Sequence, residues 1–191
     1  MPAEAWQYNS GLEVARLFRM RLMFGGHLPM TGWDTYLHGR GRMHGKLLGM
    51  VTVADGHGGP FDIGELTTYL NDAVLLAPGM LLRLPTTWTA VDDHTFRVAL
   101  SDEGRTVSAD VTVNEQGAPT GFTTMDRFMD GPAGPKRTRW CTPVAGWTVA
   151  EGRVVPTSAA AEWIVPGGPL RYAELSLVSI RFDVAPAPPW P

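Results

Sequence analysis

Glu65, Tyr69 and Asp72 fall at i, i+4 and i+7 within DIGELTTYLNDAVLLAPGMLL, Asp62 to Leu82. On a helix these three side chains share one face, with Asn71 beside them. Two readings compete. In one, Glu65 is a cap partner and the face is solvated. In the other, the helix seals a curved sheet and points these groups into a cavity. There a carboxylate with a raised pKa serves as a general acid or base. Trp140, Trp147, Trp163, Tyr172 and Glu174 form a second group near the C-terminus, with Arg139 and Glu162 beside the tryptophans. Large aromatics fill cores, but in a half-closed sheet some face the concavity and suit flat or lipid-like ligands. Glu162 is expected to pair with Arg139 across neighbouring strands. A third pair, Asp126-Arg127, is adjacent in sequence and so faces opposite sides of a strand; a salt bridge from either to a neighbouring strand is expected.

Much familiar chemistry is absent. The sequence has no GxGxxG after a strand, no P-loop, no HExxH, no paired CxxC and no GxSxG elbow. The five histidines, 27, 38, 44, 57 and 94, show no helical i,i+4 spacing, and His27, His57 and His94 fall in or beside turns. No metal site and no cofactor are therefore expected.

The elements that must position these residues are mostly strands. In LEVARLFRMRLM (Leu12–Met23) the even positions Leu12, Val14, Phe18, Met20 and Leu22 are apolar, Arg16 apart, as a strand with one buried side requires. Met30–His38 and Arg42–Val53 read as a hairpin around Gly39-Arg40-Gly41, with Gly45 and Gly49 marking bulges or close approaches. Ala54–Pro60 reads as a loop. Asp62 as N-cap, Glu65 as capping-box partner and Pro78 as stop predict a helix over Asp62–Ala77, followed by a short second turn. The remainder reads as a meander: Thr86–Val91, Thr95–Leu100, Arg105–Val113, Gly121–Met129, Arg137–Val144, Trp147–Val149, Arg153–Val155, Ser158–Val165 and Leu170–Val184. Val107, Ala109, Val111 and Val113 give the cleanest alternation. About ten strands at this spacing must curl or close.

Composition bounds the rest. The chain has 191 residues, 44% hydrophobic and 18% charged, which suits one globular domain over 1–184. The tail 185–191, APAPPWP, reads as Pro-rich and disordered. A net charge of −3 gives no electrostatic case for nucleic acid. Cys141 is alone, so no intrachain disulfide forms. With no signal-peptide pattern and no apolar run long enough to span a bilayer, a cytoplasmic location is expected.

From Trp33 onward, GRGRMHGKLLGMVTVAD (Gly39–Asp55), GELTTYLNDAVLLAP (Gly64–Pro78), W-x-x-V-D-D (Trp88–Asp93), TRWCTPVAGW (Thr138–Trp147) and PLRYAEL (Pro169–Leu175) resemble, in order and spacing, the bacterial family DUF6544 (formerly DUF6920). Its members, especially from actinobacteria, look related to the LolA/LolB-like lipoprotein-carrier fold. The resemblance implies an incomplete barrel wrapped round a helix and holding acyl chains. Members start with more residues before the segment matching Ala5–Met20; one sheet edge is therefore expected to be open or covered by another subunit. The family brings no agreed catalytic residues.

The expected fold is mainly β: a curved antiparallel half-barrel with one helix on its concave side. The leading functional expectation is binding of a small hydrophobic or lipid-like molecule there, with Tyr69, Trp140, Trp163 and Tyr172 as contacts. The alternative is a cofactor-free cyclase or isomerase using Asp72, Glu65, Glu174 and Glu162 as acid–base groups, with Tyr69 and Tyr172 as donors to an oxyanion. A third reading is an interaction module, including a homodimer, pairing through the open edge.

Overall fold

A computed structural model describes residues 2–185, so the expected disordered tail lies, from residue 186 on, outside the described residues. The first half is a five-stranded antiparallel sheet in sequence order: β1 (Ala3–Ser10), β2 (Ala15–Phe24), β3 (Leu28–Leu37), β4 (Arg40–Leu47) and β5 (Val51–His57). Of the strand expected over Leu12–Met23, the part from Ala15 on is β2; Leu12 to Val14 form the β1–β2 turn, where Leu12 is exposed. Val14 and Arg16 are buried, and Phe18, Met20 and Leu22 are half-buried on the same side. β1 was not expected as a strand, yet it pairs along its whole length with β2, from Ala3 opposite Leu22 to Ser10 opposite Ala15. Arg42–Val53 is not one strand. Leu48 (φ 54°) and Gly49 (φ 70°) reverse the chain there, separating β4 from β5. The apolar side chains of Leu48 and Met50 hid that turn; both are exposed. The expected loop over Ala54–Pro60 is instead mostly β5, which runs to His57.

The second half is a seven-stranded antiparallel sheet. β6 (Thr86–Asp92), β7 (Thr95–Asp102), β8 (Arg105–Val113) and β9 (Pro119–Thr124) form a meander. A two-stranded hairpin follows, β10 (Phe128–Met129) with β11 (Lys136–Arg137). β12 (Trp140–Ala150) then returns to pair with β9, and β13 (Arg153–Val165) and β14 (Gly168–Ser176) complete the order β14-β13-β12-β9-β8-β7-β6. The alternation in β8 holds: Val107, Ala109 and Val111 are buried and their odd-even neighbours are not. Four boundaries differ from expectation. The segments Arg137–Val144 and Trp147–Val149 belong to one strand, β12, apart from the short β11. Arg153–Val155 and Ser158–Val165 are one strand running through Pro156. Gly121–Met129 breaks after Thr124 because Asp126 and Arg127 turn away to other partners. Leu170–Val184 stops at Ser176.

Helix α1 (Gly59–Leu76) lies against strands of both sheets, which do not close into a barrel. It begins earlier than Asp62 because Gly58, at φ 93°, turns the chain and Pro60 occupies the first turn, where its missing N–H costs nothing. Pro78 ends it and opens a 3₁₀ segment, Pro78–Arg83. Leu66, Leu70, Ala73 and Val74 form an apolar stripe along α1 and meet Tyr36, Val98, Leu100, Val107, Val111 and Phe122 in one core. Burial does not stop at that stripe: Asp62, Glu65, Thr67, Tyr69 and Asn71 are buried too, because sheets cover the helix on more than one side.

Asp62 is therefore not a cap. Its Oδ1 accepts the Gly41 N–H at 2.9 Å and its Oδ2 accepts Arg105 Nη2 at 2.8 Å, tying α1 to the β3–β4 turn and to β8. Tyr36 Oη donates to Asp102 Oδ2 at 2.8 Å, and Arg105 Nη1 donates to the Gly39 carbonyl at 3.1 Å, so the same junction joins the two sheets. Gly41 permits it: a Cβ there would run into the Phe61 backbone carbonyl. Backbone atoms of a packed helix cannot swing aside as a flexible side chain can. Gly41→Ala is expected to lower unfolding free energy by about 3 kcal/mol, read as a lower urea midpoint with unchanged slope. A change below about 0.5 kcal/mol would mean that the helix can lift off the hairpin freely.

Candidate functional site

The helix face carrying Glu65, Tyr69 and Asp72 is neither solvated nor lining an open cavity. It meets β1 and β2. Arg16 enters from β2 and donates through Nη1 to Glu65 Oε2 (3.0 Å), through Nε to Asp72 Oδ2 (2.8 Å) and through Nη2 to Gln7 Oε1 (3.2 Å). Gln7 Nε2 closes the ring on Asp72 Oδ2 at 2.8 Å. Tyr69 Oη donates to the Ser10 carbonyl at 2.7 Å. The Asn71 amide donates to Asp72 Oδ1 at 3.3 Å, while its buried Oδ1 has no partner among the described residues.

Asp34 belongs to this cluster although sequence reasoning passed over it. It shares the helix-facing side of the five-stranded sheet, in the row Gln7–Phe18–Asp34–Met43. Burial raises the Asp34 carboxyl above its ordinary range, against the pull of Arg16 and Arg127. Burial likewise raises Glu65, to about 7, with Arg16 opposing and Asp34 adding to the rise. Burial works against the charge on Arg16, but Asp72, Glu65 and Asp34 outweigh it and hold the guanidinium protonated. Three carboxyl groups thus share two arginines, and the charge of each bears on the others.

Of the expected aromatic contacts, Trp140 is buried, Trp163 half-buried and Tyr172 exposed. Trp140 and Trp163 face each other across β12 and β13. A bulge between β13 and β14 turns Tyr172 to the same side, where its hydroxyl accepts Trp140 Nε1 at 2.9 Å and its ring stacks on Trp163 with centroids 6.0 Å apart. The space among them is taken by Arg127, whose guanidinium lies 4.7 Å from the Trp140 ring and 6.0 Å from Trp163. Arg127 also donates to the Gly64 carbonyl at 3.1 Å and to the Thr68 hydroxyl. It joins the aromatic group to the acidic one. Its neighbour Asp126 makes the expected structural bridge, to Arg137 at 2.7 Å.

Glu162 and Glu174 lie elsewhere. Glu162 stands opposite Cys141, on the side of the sheet away from Trp140 and Trp163. Its partner is not Arg139, as expected, but Arg171 of β14, at 2.7 Å; Arg171 also holds the exposed Glu174 at 3.0 Å. The four expected acid–base residues therefore form two separate pairs. Arg16 left a signal in the sequence: one cation on an otherwise apolar strand face requires a buried partner. Gln7 and Asp34 left none, since their strand or row partners are set by register.

To one side of α1, further along the strands, the helix-facing side of the five-stranded sheet continues as an apolar floor. Its rows are Ala5–Met20–Gly32–Gly45–Ala54 and Ala3–Leu22–Met30–Leu47. Met20, Leu22, Met30, Met43 and Leu47 are half-buried, and the Met20 and Met30 side chains lie over Gly32 and Gly45. Among the described residues no three His, Cys, Asp or Glu side chains are grouped to hold a metal ion. Among the same residues no helix is long and apolar enough to cross a membrane.

The fold and site define an open antiparallel β protein built round a single buried helix with a charged interior. The chain belongs to DUF6544, a family of unknown function, whose sequence profile matches residues 1–175. It matches no curated protein and no solved structure.

Arg16→Met should cost about 3–5 kcal/mol, because it strands two buried carboxylates. Adding Glu65→Gln and Asp72→Asn should recover more than half of the loss in urea titrations. No recovery would mean that Arg16 acts through packing alone. A pH effect follows as well. The folded-state pKa of Glu65, about 7, lies above its ordinary 4.5, so its stabilising contribution is complete below 4.5 and is lost as pH rises to about 7. Wild-type stability should fall across that window, and Glu65→Gln should flatten the fall; identical slopes would count against the raised value.

Proposed function

We propose that the protein holds one small hydrophobic or lipid-like molecule on the apolar floor that α1 leaves uncovered. The observation that supports this most is the contiguity of Met20, Leu22, Met30, Met43 and Leu47, half-buried and adjoining Asp34. Methionine side chains adapt to ligands of varied shape, and Met20 and Met30, folded over Gly32 and Gly45, can swing aside to admit an alkyl chain or a flat ring. The Asp34 carboxyl at the inner end would accept a hydrogen bond from a hydroxyl or amine of the ligand. The interior directly beneath the helix does not take part: Leu66, Tyr69, Leu70 and Ala73 fill it completely. The LolA/LolB-like resemblance noted in the sequence points the same way.

A second reading, cofactor-free acid–base catalysis on such a molecule, is favoured by one observation. Asp34 adjoins that floor, and burial raises its carboxyl and that of Glu65, the direction a general acid needs. Glu162 and Glu174, on the other side of the second sheet, have no part in it.

Native mass spectrometry followed by denaturing extraction should reveal a defined co-purifying apolar molecule, and Nile red, which is uncharged, should bind with enhanced emission. Met20→Glu with Met30→Glu should weaken Nile red binding at least tenfold, about 1.4 kcal/mol. Val149→Glu, at an exposed apolar position on the other sheet, should leave it unchanged. Equal loss in both variants, or in neither, would remove this reading. A clean dimer mass with no ligand would turn attention to the edge strand β14, which exposes Leu170, Tyr172 and Leu175.

A further inference from the structure

The β10–β11 hairpin walls a surface pocket of about 410 Å³ that is separate from the floor described above. It lies at the end of the seven-stranded sheet. Its apolar lining comes from Met125, Met129 and Ile164, and its cations are Lys136, Arg137 and Arg139. Ile164 shares the side of β13 that carries Glu162, away from Trp163 and α1.

Three cations within four residues are unexpected in a chain whose net charge is −3. Only one is neutralised: Arg137 pairs with Asp126 at 2.7 Å. Lys136 and Arg139 have no ion-pair partner among the described residues and stand exposed at the mouth. The backbone that presents them is fixed. Gly134 N–H donates to the Gly131 carbonyl at 2.9 Å in the hairpin turn, Thr138 N–H to the Arg127 carbonyl at 3.1 Å, and Ile164 N–H to the Arg139 carbonyl at 2.9 Å. Two cations without an ion-pair partner among the described residues therefore sit beside a thioether-lined wall. An anion between them would relieve their repulsion, and a chain attached to it would cover Met125, which is 51% exposed. No aromatic ring lines the pocket, so a base or sugar ring has nothing to stack on; flexible methionines suit an alkyl chain.

We propose that this pocket binds an anionic amphiphile, its carboxylate or phosphate head held by Lys136 and Arg139 and its aliphatic chain laid on Met125, Met129 and Ile164. The head can come from a free fatty acid or alkyl phosphate, or from an anionic phospholipid at a bilayer surface.

Calorimetric titration with dodecanoate below its micellar concentration tests the first source. Co-sedimentation with phosphatidylcholine vesicles containing phosphatidylglycerol tests the second. The variant is Lys136→Glu with Arg139→Glu, both exposed, its fold checked by an unchanged thermal midpoint. Binding in at least one arm is expected, weakened at least tenfold by the double variant and by added salt, while Nile red binding to the apolar floor stays at the wild-type level. Acetate should not bind, since it lacks the chain. Dodecanoate binding without vesicle binding identifies the soluble amphiphile as the ligand, and the reverse identifies the membrane lipid. Equal affinity for dodecyltrimethylammonium, an unaffected double variant, or no binding in either arm would overturn the proposal. Loss of Nile red binding by the Met20 and Met30 variant, with dodecanoate binding intact, would separate the two sites.

Discussion

A helix buried on most of its circumference must bring partners for every polar group it carries. α1 carries Asp62, Glu65 and Asp72 into the interior, and each is answered by an arginine from a strand distant in sequence. Arg105 from β8 meets Asp62, and Arg16 from β2 meets both Glu65 and Asp72. An uncompensated carboxylate in such a place costs several kcal/mol, so the helix has little freedom to rotate or slide without stranding one. The apolar stripe supplies the bulk of the burial. The charged contacts set the helix's register between the two sheets.

That constraint explains why the sheets remain open. The β3–β4 turn and the start of β8 converge on Asp62 and Gly41, joining the sheets at one end of α1. Near the other half of the five-stranded sheet the helix provides no cover, and the floor of Met20, Met30 and Leu47 continues past it. An apolar surface at this position is a direct result of a helix of 18 residues seated at one end of a wider curved sheet.

Arg127 shows how one side chain changes what a site offers. The aromatic group of Trp140, Trp163 and Tyr172 has the composition of a ligand cage, yet the protein's own guanidinium fills it, held by cation–π contact and by two acceptors on α1. The same charge reaches Asp34 and Glu65 and tempers the rise that burial imposes on both. Aromatic packing and the charge balance of the acidic set are thereby linked through one residue.

By itself the sequence determined the strand-rich class, the position and end of the helix, most hairpins of the second sheet and the clean alternation of β8, because period-2 patterning, Pro78 and the turn residues act locally. It marked Arg16 as an anomaly on an apolar face, and it named Trp140, Trp163 and Tyr172 within a wider group that also held Trp147 and Glu174, which the fold places elsewhere. Tertiary structure alone decided the rest. β1 exists as a strand because β2 offers it an edge. Leu48 and Met50 form a turn although their side chains read as core, since the chain must reverse to lay β5 beside β4. Asp62 became a clasp between elements rather than a cap, and Glu162 found Arg171 rather than Arg139, because the bulge between β13 and β14 sets Arg171 directly opposite it. Which charges meet in the interior depends on the pairing of strands far apart in the chain, and no local pattern carries that information.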